Sequence, residues 1–250
     1  IDIGAQDGVR LSNAAFDPRA KAVYAISDAS GEEEIWRFPA DGGSTGRQLT
    51  FDGATQRGRL HLSPDGRKLA HEDMRGRLWV LDVSTNENRL IDDGGPAGNQ
   101  EYAGVAWAAD GKAIAFARGT NATGRNQVAI HSFADGKTQF LTSDKYDSAW
   151  PAFSPDGKWL WFLSERDFVL ANGSPWGDRN TGPFFDKRTK IYALALQPSE
   201  RFPFRERDEL APSKDDKKAD DDTGNSPDKP SDNAKKNSTK PIIFRGLAQR

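Results

Sequence analysis

The chain has 250 residues, a formal net charge of −2 and a pI near 6.0, which excludes the basic footprint of a nucleic-acid binder. It has no cysteine, which excludes disulfides, thiol catalysis and Cys-ligated metals. No apolar run reaches the roughly 18 residues that a membrane helix needs.

Taken in chain order, residues 1–13 read as a connection, and the chain reads as a piece cut at both ends. Phe16-Asp17-Pro18-Arg19-Ala20-Lys21-Ala22-Val23-Tyr24 then reads as strand, tight turn, strand. The same unit returns at Leu62-Ser63-Pro64-Asp65-Gly66-Arg67-Lys68-Leu69-Ala70, at Trp107-Ala108-Ala109-Asp110-Gly111-Lys112-Ala113-Ile114, and at Phe153-Ser154-Pro155-Asp156-Gly157-Lys158-Trp159-Leu160. In the turn, Pro fixes φ, Asp bonds the local backbone and Gly takes a positive φ. The following residues are aromatic and aliphatic β-formers.

Pro18, Pro64, Ala109 and Pro155 follow one another at intervals of 46, 45 and 46 residues. A constant period of that length predicts β-propeller blades of four strands each. Third strands repeat around Trp36, Trp79, Ile130 and Tyr192. Fourth strands repeat at Arg47-Gln48-Leu49-Thr50, Asn88-Arg89-Leu90-Ile91 and Thr138-Gln139-Phe140-Leu141-Thr142. The blades are expected over about 14–53, 57–95, 103–144 and 149–211.

Blade four carries a long aromatic insertion at 165–189, with Phe168, Trp176, Phe184 and Phe185. It is expected to fold over the propeller's own core, with contact to a ligand or another domain as the alternative. Residues 212–240 hold seven Lys and seven Asp and no aliphatic residue larger than Ala. They cannot bury apolar surface and are expected to form a disordered, solvated spacer. Lys240-Pro241-Ile242-Ile243-Phe244-Arg245 is expected to resume as a strand, so that 241–250 begins the next blade.

No constellation of catalytic residues emerges. His61, His71 and His131 each fall on an expected strand without a second His at metal-ligand spacing, and read as structural. Gly173-Ser174-Pro175-Trp176-Gly177 lacks the spacing of a nucleophile elbow, and Asp220-Asp221-Asp222 lacks that of a calcium loop. There is no phosphate-binding glycine loop. The glycosylation-like triplets at Asn121, Asn172 and Asn237 carry no weight. Asp65, Asp110 and Asp156 recur because the turn needs them. No catalytic, cofactor-binding or metal-binding residue is therefore assigned.

The Ser-Pro-Asp-Gly-Lys/Arg repeat resembles the Pro-Asp type of WD-like propeller repeat. That group includes Tol-system propellers, prolyl-oligopeptidase-type propellers and tricorn-type proteases. Three longer stretches are similar to the tricorn type: Asp73-Met74-Arg75-Gly76-Arg77-Leu78-Trp79-Val80-Leu81-Asp82-Val83, Leu141 to Phe153, and Arg201-Phe202-Pro203-Phe204. A Lys/Asp-rich insertion before Pro241-Ile242-Ile243-Phe244-Arg245-Gly246-Leu247 also resembles that family. The resemblance implies a place in the larger, seven-bladed propeller. It implies a non-catalytic role in filtering or channelling unfolded peptides toward a serine-peptidase core, related to C-terminal processing peptidases, that lies outside this chain. The implied partners are oligopeptides, other domains of the same protein and further copies of it, and the periplasm is favoured over the cytoplasm. A stand-alone Tol-type interaction propeller and a prolyl-oligopeptidase-type propeller remain the alternatives.

Overall fold

The computed structural model describes residues 8–42, 45–53, 55–94, 101–119, 123–168, 185, 187–198, 200–205 and 242–249. The stretch 212–240, Ser174, Asp220 to Asp222, Trp176, Phe184, Asn121, Asn172 and Asn237 all lie outside them.

Among the described residues, fifteen strands fall into four antiparallel sheets. The first comprises β1 (Leu11–Phe16), β2 (Ala22–Ser27), β3 (Glu34–Pro39) and β4 (Arg47–Gln48). The second comprises β5 (Arg57–Leu62), β6 (Lys68–Asp73), β7 (Leu78–Asp82) and β8 (Asn88–Asp92). The third comprises β9 (Val105–Trp107), β10 (Ala113–Gly119), β11 (Asn126–Ser132) and β12 (Lys137–Phe140). The fourth comprises β13 (Ser148–Phe153), β14 (Trp159–Glu165) and β15 (Thr189–Ala195). Each sheet is a simple meander in chain order, as the repeat predicts. β1 starts at Leu11, inside the stretch read as a connection.

The turns follow the chemistry of the repeat. The N–H groups of Gly66, Gly111 and Gly157 donate to the carbonyls of Ser63, Ala108 and Ser154 at 2.8, 2.9 and 2.9 Å. All three glycines have positive φ, at 64°, 66° and 69°. Ala20 holds the same place in blade one at φ 54°. The turns also touch one another along one face of the molecule. A Cβ on Gly66 would stand 2.7 Å from Asp17 Oδ1, and one on Gly111 would stand 3.8 Å from Asp65 Oδ1.

The core lies between blades rather than inside any one of them. Tyr24, Ile35 and Leu49 of blade one meet Leu69 and Leu81 of blade two. Ala70, Leu78 and Val80 meet Tyr102, Ile114 and Phe116. Ala115, Ala117, Val128 and Ile130 meet Ala149, Leu160, Phe162 and Leu194. β10 shows the mechanism: Ala113, Ala115 and Ala117 face blade four, while Ile114 and Phe116 face blade two. Side chains alternate along a strand, so a central strand covered on both faces reads as a continuous apolar run.

The repeated Leu-Thr pair closes the fourth strand. Leu49 and Leu141 donate backbone N–H to Ile35 O and Val128 O. Thr50 Oγ1 and Thr142 Oγ1 then accept from the N–H groups of Ile35 and Val128, both at 2.9 Å.

The strand expected at 240–245 is not formed at residues 242–245. Ile243 N–H donates to Leu196 O, at the end of β15, at 3.3 Å. Ile242 and Phe244 pack on the cluster between blades three and four. Gly246 at φ 67° and fully buried Leu247 then draw the chain into a short 3-10 helix, Leu247–Gln249.

Candidate functional site

The first strands of neighbouring blades touch one another: β1 meets β5, β5 meets β9 and β9 meets β13, with no comparable contact among the described residues between β4, β8 and β12. The first strands therefore converge on the inner side of the arc. This is where a propeller presents residues to its central channel.

Three of these inner strands break register at one repeat position. The shifts fall between Ser12 and Ala15, between Arg57 and Leu60, and between Ala149 and Ala152. Such a bulge bends the strand and re-aims the extra side chain. Five residues ahead of the repeat Pro, or of Ala109, stand Asn13, Arg59, Gly104 and Trp150. Asn13, Gly104 and Trp150 have φ values of 50°, 103° and 56°. Gly104 has to be glycine, since a Cβ there would stand 2.9 Å from Trp150 Cα and 3.0 Å from Pro151 Cδ.

A cleft of about 320 Å³ opens beside this ring, lined by Asn13, Arg59, Glu72, Asp73, Met74 and Glu101 among others. Arg59 spans two blades, its Nη2 donating to Glu72 Oε2 at 3.2 Å and to the Tyr102 carbonyl at 2.9 Å. The other Glu72 oxygen lies 3.1 Å from His61 Nε2. Burial works to raise the Asp73 carboxyl, but donation from Trp79 Nε1, the Arg77 N–H and the Arg77 guanidinium outweighs it and holds the group below the usual carboxylate range. Glu72 and Asp73 are thus both engaged in contacts with neighbouring strands and turns.

Each histidine has a local partner. His61 faces Glu72, His71 Nε2 lies 3.0 Å from Asn88 Oδ1, and His131 Nδ1 lies 2.9 Å from Thr138 Oγ1. Burial, with Arg57 nearby, pushes fully buried His71 down to about 4. Burial lowers His131 as well. The repeat aspartates bind their own turns: Asp65 accepts from Ser63 Oγ at 2.7 Å and Asp156 from Ser154 Oγ at 2.5 Å. Among the described residues no cluster of His, Asp or Glu is arranged to hold a metal ion, and no helix is long and apolar enough to cross a membrane. Of the aromatic insertion, Phe168 lies 6.0 Å from Tyr146 and 5.7 Å from Phe185 by ring centroids, and Arg166 stands over Tyr146, Phe162 and Tyr192.

The ring at Asn13, Arg59, Gly104 and Trp150 escaped the reading of motifs because its residue types differ. Its signal was positional, namely the same offset from every repeat turn.

The family model of the tricorn protease second β-propeller domain matches residues 1–250. A putative tricorn-like protease C-terminal subunit of Sulfurisphaera tokodaii is 28% identical over 177 residues, which is 69% of this chain and 19% of that protein. Tricorn protease homolog 1 of Streptomyces coelicolor is 30% identical over 152 residues, 58% of this chain and 14% of that protein. The chain thus spans about a fifth or less of these relatives. The crystal structure of the tricorn protease superposes with a TM-score of 0.65 at 15% identity, over 78% of this chain and 18% of that one. With its repeat, its four blades and a match along its whole length, the chain belongs to the family of tricorn protease second β-propeller domains.

Proposed function

We propose that this chain is the non-catalytic propeller portion of a tricorn-type serine peptidase, passing unfolded peptides along its inner face toward a catalytic core elsewhere in the protein. The observation that carries the reading is the convergence of β1, β5, β9 and β13, which lines the inner side at one repeat position with exposed Asn13 and Trp150 and half-buried Arg59. Polar groups on bulged inner strands can meet a passing peptide backbone without demanding one sequence. Arg59 offers guanidinium donors and Asn13 an amide, beside a cleft of about 320 Å³. Family membership supplies the peptidase context, and the partners would be oligopeptides and the other domains of the same protein.

The test blocks the inner side. In the full-length protein, an Asn13→Cys variant is coupled to a bulky polyethylene-glycol maleimide. The comparison is the same label on a Leu90→Cys variant, whose site is exposed on the outer strand β8. The label at position 13 should slow hydrolysis of unfolded peptides of ten or more residues, and the label at position 90 should not. Equal rates for the two labelled proteins would defeat the proposal.

A further inference from the structure

The inner-strand bulge puts position 150 at positive φ, as it does positions 13 and 104, yet the side chain it carries there is a tryptophan. It sits on the innermost strand of blade four at φ 56°, a conformation that disfavours every residue with a side chain. The next residue is Pro151, which further disfavours helical backbone at the position before it. Such strain persists only where the surroundings enforce it, and it concentrates at functional sites. Core packing does not explain it, because Trp150 is 57% exposed. The backbone is nonetheless firmly held: Trp150 N–H donates to the Ala103 carbonyl of blade three at 2.7 Å. Gly104 beside it is kept free of a side chain by the approach of Trp150 and Pro151. The indole lies against blade three, its Cε3 3.3 Å from where a Cβ on Gly104 would stand. Two blades thus cooperate to hold one large aromatic face exposed on the inner side.

We infer that Trp150 is a peptide-contacting residue that stacks on an aromatic side chain of an extended peptide passing along the inner strands. The inference rests on the peptide-handling role proposed above and gives it a chemical preference. Asn13 and Arg59, at the same repeat position in blades one and two, offer hydrogen bonds to the peptide backbone. Trp150 supplies the apolar contact, and offset or edge-on ring pairs are the geometry such a surface favours. The chain then discriminates peptides by the presence of an aromatic residue, not by a full sequence.

The test uses the full-length protein and two fluorescein-labelled, unstructured 15-residue peptides that differ only in carrying Phe or Ala at the central position. Binding is read by fluorescence anisotropy. The informative variant is Trp150→Gly, because glycine accepts the positive φ and the fold is retained or gains stability. Wild type should prefer the Phe peptide by about 3- to 10-fold, a ratio expected of one aromatic contact. Trp150→Gly should erase that preference while leaving its thermal midpoint equal to or above that of wild type. Leu90→Ala, on the outer strand, should keep the preference. If wild type binds peptide but Trp150→Gly retains the preference, this inference falls and the peptide-handling role stands. If wild type binds neither peptide, both fall. A lowered midpoint in Trp150→Gly with the preference intact would make Trp150 structural.

Discussion

The joint between blades one and two and the joint between blades three and four are built on one repeat position with opposite chemistry. Seven residues ahead of each repeat Pro, or of Ala109, stand Leu11, Arg57, Tyr102 and Ser148. Arg57 reaches back to blade one, pairing with Glu34 at 2.7 Å and with Asp52, and Glu34 also receives Thr50 Oγ1. Both side chains of the Arg57–Glu34 pair are almost wholly buried, at 4% and 2% exposure. Tyr102 donates its hydroxyl to Asp92 at 2.7 Å, and Arg118 adds an ion pair to the same carboxylate at 2.9 Å. Ser148 instead bonds Ser164 within its own blade at 2.8 Å, and the seam itself is filled by Ala149, Leu160, Phe162 and Leu194. Where the apolar filling is continuous, the polar crossing is a neutral amide on a carboxylate, Asp147 of blade four accepting from the Asn126 N–H and side-chain amide of blade three at 2.7 and 3.1 Å. Where it is thinner, a buried polar contact fixes how the two blades meet.

The sharpest way to break this comparison is to truncate the same repeat position at both joints. Arg57→Ala leaves Glu34 buried without its cation, and removing one partner of such a pair costs about 3–5 kcal/mol. Ser148→Ala removes one neutral hydrogen bond, worth roughly 0.5–1.5 kcal/mol. Hydrogen exchange on the full-length protein, read separately for β2–β7 and for β10–β14, should show a large and local loss of protection in the first variant only. Comparable losses at the two joints would mean that the charged contact adds nothing to the apolar packing beside it.

Acid offers a second and somewhat smaller probe, because the charged half also holds fully buried His71. His71 stacks on Trp79 at a centroid distance of 6.4 Å and is pushed down to about 4 by burial, with Arg57 adding to the effect. An unfolded histidine takes up its proton near pH 6.5, and the folded one resists until about 4. The unfolded state therefore binds more protons across that window. Stability should fall as pH drops from 6.5 to 4, by up to about 3 kcal/mol from this group. Melting curves at pH 7.5, 6 and 5 should show the fall in wild type and a flatter dependence in His71→Gln. An unchanged slope in the variant would assign the acid sensitivity to other groups, His131 and the carboxylates, instead.

Much of this fold is legible in the sequence because its turns are chemically demanding. Pro64-Asp65-Gly66 and Pro155-Asp156-Gly157 can do little else than reverse the chain, so their spacing gives blade number and strand order. The alternation in β10 follows directly from a central strand with two covered faces. The joints are not legible in the same way. Arg57 and Tyr102 share a position and a task but no residue type, and Ser148 at the same position leaves the seam to the apolar filling beside it. The inner ring is hidden for a different reason. A bulge is a register shift between two strands, and Asn13 and Trp150 reveal it only through their backbone. Trp150-Pro151 even points away from it, because a proline disfavours helical backbone at the residue before it. At the other end, the apolar run Ile242-Ile243-Phe244 reads as a strand, yet Leu247 is buried in the neighbouring cluster and turns the chain away.

The smallest expected effects lie in the turns, where the two halves of the molecule should behave alike. Gly157 at φ 69° and Gly66 at φ 64° both require a left-handed backbone. A β-branched residue forced into that region costs on the order of 1–3 kcal/mol, so Gly157→Val and Gly66→Val should each lower the thermal midpoint. The Gly66 variant should lose more, because its new Cβ also meets Asp17 Oδ1 at 2.7 Å. Asp156→Ala should lose less than either. Its carboxylate accepts from Ser154 Oγ and from the Lys158 N–H at 3.1 Å, but Ser154 Oγ goes on accepting from the Lys158 and Trp159 N–H groups at 3.2 and 2.9 Å. The turn keeps its backbone bond and its hydroxyl cap, so the loss should stay within roughly 0.5–1.5 kcal/mol. Peptide hydrolysis by the full-length protein, corrected for the folded fraction, should be unchanged by Asp156→Ala. If hydrolysis were abolished while the melting curve stayed in place, the repeat aspartate would be a functional group and its recurrence in Asp65 and Asp110 would need a new explanation.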